Sequence, residues 1–105
     1  MNDLLQIRAA RRLRAIAAAV ASLEGPEPVG ESLAAIRAHR LRNRGRLHLA
    51  AMASLEAPDL TEPSPLDVEA RAAWRAQQRH RVFARAYLAD VALAGDLVKE
   101  ASSWR

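Results

Sequence analysis

Cysteine is missing from this chain of 105 residues, so neither a disulfide framework nor a thiolate zinc site holds it together. No apolar run approaches the ~20 residues that a bilayer-spanning helix requires. Only four side chains are aromatic, whereas 24 residues are alanine. Lysine occurs once among 16 basic residues, the rest being arginine. β-Branched residues are few, which argues against strands. These shortages exclude a disulfide scaffold, a collagen-like chain, an acidic disordered tail and a membrane span. They leave one small domain over residues 1–105, expected in the cytoplasm.

Catalytic signatures are also missing. There is no Gly-rich phosphate loop, no G-x-S-x-G elbow and no H-E-x-x-H. His39, His48 and His80 are not at ligand spacing, and a hairpin bringing His39 near His80 supplies neither an acid nor a thiol to complete a site. The sequence therefore predicts no enzyme, no metal and no cofactor.

What is present is helix-forming sequence interrupted twice by proline. Gly25 to Gly30 and Ala57 to Pro65 read as connections, because Pro cannot continue a helix and biases its predecessor toward extended conformations. Between them Ala, Leu, Arg and Glu predict three helices, at about 3–24, 31–56 and 65–102. Gly25 followed by Pro26 marks one helix end. Ser64, Pro65 and Asp67 read as N-cap, N1 and N3 of the third helix. The expected fold is all-α: an up-down-up three-helix bundle, or antiparallel coiled coil, with a longer third helix. An internal echo, AAVASLEGP at 18–26 and AAMASLEAP at 50–58, reads as two helices ending alike rather than as a structural repeat.

The faces differ in clarity. Leu5, Ala9, Leu13, Ile16, Val20 and Leu23 form one stripe on the first helix. Leu66, Ala70, Ala73, Gln77, His80, Ala84, Tyr87, Val91, Ala94 and Val98 form a heptad-like seam on the third. The second helix has Leu33, Ile36, Leu47, Ala51 and Leu55 as its stripe, but Arg40 and Arg44 interrupt it. A charge in a packed seam is costly unless paired. Either this helix breaks near Asn43-Arg44-Gly45 or it leaves a segment uncovered to meet something; a continuous helix is the better reading.

Folding two hairpins about residues 28 and 60 brings the arginines to one height. Arg8, Arg11, Arg12, Arg14, Arg37, Arg40, Arg42, Arg44, Arg46, Arg71, Arg75, Arg79, Arg81 and Arg85 would then form a belt for an anionic or protein partner. Arginine in place of lysine is also what a GC-rich genome writes, and a formal charge of +4 is modest for a dedicated nucleic-acid binder. Trp74 and Tyr87 could stack on bases but are better read as packing residues. Beyond Asp90 the third helix either overhangs the first turn or bends back at Gly95. Val91, Leu93, Leu97, Val98 and Trp104 there form a candidate apolar docking tail. Arg11-Arg12 before an alanine run superficially resembles an export signal; its amphipathic phase is better explained by a bundle helix.

The run Leu4-Leu5-Gln6-Ile7-Arg8-Ala9-Ala10-Arg11-Arg12-Leu13 resembles the start of the FliJ/YscO group. The Arg-rich stretch from Arg71 to Arg85, with Trp74 inside it, is similar to that group's returning arm. The resemblance implies a small basic antiparallel coiled coil, accessory to the export ATPase of flagella or type III injectisomes, with a ring ATPase or an export chaperone as partner. Two other readings stand beside it: sequence-nonspecific nucleic-acid binding through the arginine belt, and a small phage-type inhibitor or chaperone. Homo-oligomerisation is left open.

Overall fold

The computed structural model describes residues 2–103, so Trp104 of the expected docking tail lies outside the described residues. Three α-helices carry the fold: α1 (Asn2–Ala21), α2 (Leu33–Glu56) and α3 (Val68–Ser103). A short 3₁₀ turn, Ser22–Glu24, extends α1. Among the described residues there is no strand. All three helices pack on one another, giving an all-α three-helix bundle whose third helix, at 36 residues, is the longest.

Local chemistry sets the ends. Ser32 caps α2, its hydroxyl accepting a hydrogen bond from the Ala35 N–H at 3.1 Å. The start of α3 differs from the expected cap. Asp67, not Ser64, accepts the orphan N–H of Ala70 (3.1 Å), so the helix begins at Val68 while Ser64 and Pro65 belong to a turn before it. Gly25 is extended (φ −82°) rather than left-handed. Its role as a helix-terminating glycine is taken over by an arginine from α2.

α2 is unbroken through Gly45. That glycine marks the place where α1 and α2 cross. A Cβ built there would overlap the Ala19 carbonyl oxygen and stand 2.8 Å from its carbon, and Ala19 itself is 1% exposed. Only a residue without a side chain lets the backbones approach this closely.

The orientation of α2 departs from the expected stripe. Its buried residues are Ala35, Arg42 and Gly45. Leu33, Ile36 and Leu47 are exposed, and Ala51 and Leu55 half-buried. At 100° per residue the two sets lie on opposite sides of the helix. The small side faces inward, and of the bulky side Leu33, Ile36 and Leu47 face water.

α3 does not sit where a simple second hairpin puts it. Tyr87 meets His48, and Gln77 bonds the linker at Pro58 and Leu60. The C-terminal half of α2 therefore faces residues 79–87 of α3, and the first turns of α3 run past the end of α2. Beyond Asp90, α3 neither overhangs nor bends at Gly95. It continues as helix alongside the N-terminal half of α1, where Ala94 and Ala9 are both buried. From Leu5 to Ala19 of α1, the facing α3 residues run back from Leu97 to Tyr87.

Candidate interaction trough

Two arginines hold this arrangement from inside. Arg42, 7% exposed, donates to the carbonyls of Ser22 (2.7 Å) and Gly25 (2.9 Å) and to Glu27 Oε1 (3.2 Å). These carbonyls end α1, so the guanidinium acts as its C-terminal cap and meets the negative end of the helix dipole. Arg81, 6% exposed, donates in the same way to the Ala57 carbonyl at the end of α2 and to the Asp59 carboxylate. Gly25 and Ala57 hold corresponding positions of the internal echo, and Glu27 and Asp59 follow it by one residue. Sequence separations are 17 and 15 residues in the first clamp and 24 and 22 in the second. The second arginine is thus seven residues further from the helix end it grips. The repeated segment is a twice-used device: a helix end and a following acid, gripped by an arginine of the next helix.

Arg42 and Arg81 are consequently structural and do not belong to an exposed basic belt. Arg46 pairs with Glu27 at 2.7 Å, and Arg71 donates to the Pro63 carbonyl (3.2 Å), lies 3.8 Å from Glu62 and stacks over Trp74. The single-height collar is also corrected, because α3 is displaced and carries Arg71 to Arg85 alongside the end of α2 and the linker. Among the described residues, Arg8, Arg11, Arg12, Arg14, Arg37, Arg40, Arg44, Arg75, Arg79 and Arg85 are exposed and have no carboxylate partner. Arg14 donates only to the Ala10 carbonyl of its own helix, at 3.4 Å.

The surface between the helices is hollowed. A groove of ≈ 480 Å³ between α2 and α3 is lined by Leu47, Ala50, Ala51, Ser54, Phe83 and Ala84. Leu47 and Tyr87 border it and also border a second hollow of ≈ 240 Å³, which reaches Arg12, Ile16 and Arg44. Arg12 in turn borders a third, of ≈ 190 Å³, with Leu5, Arg8, Leu93 and Leu97. Taken together the three are called the trough: mostly apolar, with Arg8, Arg12, Arg44, Arg79, His80 and Asp90 among the residues that line them. Leu47 is 70% exposed and Phe83 74%. Tyr87 is committed on one side: its hydroxyl lies 2.8 Å from His48 Nδ1 and the two rings meet edge-on.

The expected docking tail is therefore not a projection. Leu93 and Leu97 form one wall of the trough opposite Leu5, while Val91, Leu97 and Val98 are half-buried. The sequence pattern does not foresee the trough, since it puts Leu47 in the core and Phe83 on no face. Among the described residues no three His, Asp or Glu side chains gather as metal ligands, and no helix is long and apolar enough to cross a membrane. No protein-family model matches the chain, and neither does a curated protein or a solved structure.

Proposed function

We propose that this chain is a non-catalytic helical interaction protein that receives a protein partner on its arginine-margined trough. The observation that carries the reading is the orientation of α2, with Ala35, Arg42 and Gly45 inward and Leu33, Ile36 and Leu47 outward. Covering a leucine or phenylalanine stabilises by about 1.5–3 kcal/mol, so a chain that folds alone turns such residues inward. Here the glycine crossing and the Arg42 clamp hold the helix the other way. Leu47 on the bulky side is left exposed on the trough, and exposed apolar surface of that kind marks protein contacts.

An accessory of a flagellar or type III export ATPase is a narrower form of the same reading, and it draws on the resemblance of residues 4–13 and 71–85. A photo-crosslinking residue placed at Leu47, and separately at the linker residue Leu66 (92% exposed), tests the general proposal in the native cell. Discrete adducts at position 47 that are missing at position 66 are expected. Identical patterns at both positions, or none at 47, contradict it.

The ten exposed arginines without a carboxylate partner favour a second reading, sequence-nonspecific nucleic-acid binding. Affinity would then fall steeply with salt, because each neutralised phosphate releases counterions. Mobility-shift assays with unrelated duplex DNA at two salt concentrations decide it: the absence of a shift at the lower one ends this reading.

A further inference from the structure

The exposed area of the chain is 8241 Å². A compact monomer of 11.5 kDa exposes about 5,800 Å². The difference, about 2,400 Å², is close to what one protomer of an obligate homodimer contributes, roughly 1,000–2,500 Å². Inside the chain no large side chain is fully buried, and the only buried hydrophobic residues are alanines: Ala9, Ala19, Ala35, Ala84 and Ala94, counted among the described residues. The bulky apolar side chains between the helices, Leu13, Ile16, Val20, Leu88, Val91 and Leu97 among them, are only half-buried.

We infer that a second copy of this chain covers the trough, in a two-fold dimer packed face to face through it, with Phe83 of each copy seated among Ala50, Ala51 and Ser54 of the other. This rests on the reading of the trough as a protein-binding surface and names its occupant. The choice of a second copy follows from the shape of the face. It carries an exposed ring, Phe83, bordering a groove whose α2 wall is mostly small, Ala50, Ala51 and Ser54 beside Leu47, and whose α3 wall adds Arg79, His80, Ala84 and Tyr87. A surface that bears both a knob and a matching hole is complementary to itself under a two-fold operator. The margin contributes like charge from both copies, Arg12, Arg44 and Arg79, so the association strengthens as salt screens their repulsion.

Sedimentation equilibrium of the full chain tests this, with circular dichroism on the same samples. The expected mass is twice 11.5 kDa, with tighter association at higher salt. Phe83→Glu is expected to weaken association at least ~100-fold by burying a charge at the interface, while Leu66→Glu leaves it unchanged. A monomer at about 100 μM, or a dimer indifferent to Phe83→Glu, overturns the proposal. The state of a monomer separates the two claims. A monomer that binds a hydrophobic dye and lacks a cooperative transition overturns self-association and leaves a different protein as occupant. A cooperatively folded monomer that binds no dye overturns the interaction reading as well. If Phe83→Glu does not fold, the salt dependence of the unaltered chain decides: association weakened by salt overturns the two-copy interface.

Discussion

At the scale of single residues, the buried guanidiniums carry more of the fold than their neighbours on the surface. Replacing Arg42 by alanine strands the carbonyls of Ser22 and Gly25 and leaves a cavity at the end of α1. The expected loss is about 2–4 kcal/mol in denaturant unfolding. Arg42→Lys should recover less than half of that, since one ammonium cannot span two carbonyls and a carboxylate as a planar fork does. Arg46→Ala, which removes an exposed bridge to the same Glu27, is expected to cost under about 1 kcal/mol. The glycines make a second pair of opposites. Gly95 lies within α3 with nothing inside 4 Å of the place an alanine methyl would take, so Gly95→Ala should stabilise by about 0.5–1 kcal/mol through helix propensity. Gly45→Ala gains the same propensity but drives a methyl into the Ala19 carbonyl. It should destabilise by about 2–4 kcal/mol. Equal effects at the two positions would mean that α1 and α2 do not cross there.

At the scale of elements, α2 shows what patterning reveals and where it fails. The number of helices, their approximate spans and both proline connections are legible from propensity and punctuation. The packing sides of α1 and α3 are legible only in part: Ala9, Ala84 and Ala94 are buried as their periodicity requires, but Leu5, Leu66, Ala73 and His80 of the expected stripes are exposed, and Ala19 and Arg81, off them, are buried. α2 reverses because periodicity assumes that the bulky side is the inward side. That assumption holds when apolar area alone drives burial. In α2 the inward side is selected by two non-local contacts, a backbone crossing at Gly45 and a cap supplied by Arg42 to a helix that ended about 20 residues earlier. The charges that interrupt the stripe, Arg40 and Arg44, are exposed, and the buried arginine is Arg42, off the stripe; what the sequence does offer is an arginine following a helix end, a proline and an acid. The echo at 50–58 repeats it, with Arg81 in the corresponding role. The orientation is open to test. Leu33→Gln should shift stability by no more than about 0.5 kcal/mol, as for an exposed site, whereas Ala35→Leu should cost about 1–3 kcal/mol by overpacking. The reverse order would restore the patterned stripe to the core.

At the scale of the whole molecule, the dimensions are 58 × 42 × 21 Å, with a radius of gyration of 18.2 Å. A compact chain of this length has about 13 Å. The long axis is that of α3, whose 36 residues span about 54 Å, and the thickness is about two helix diameters. The rest of α3 has a defined task in this plan. Ending the chain at Asp90 removes Ala94 and Leu97 from alongside Ala9 and Leu5, so circular dichroism should show a loss of helix larger than the deleted residues account for. A loss limited to those residues would mean that the tail is dispensable. Among the described residues of so thin a layer the buried apolar ones are alanines, and the proposed second copy would cover its open side. The most direct test is thermal unfolding of the unaltered chain as a function of its own concentration. In the proposed dimer folding and association form one equilibrium, so the midpoint is expected to rise by roughly 6 °C for a hundredfold increase in protein. A sharp, reversible transition at the same temperature throughout that range would contradict it and show that the single chain is complete.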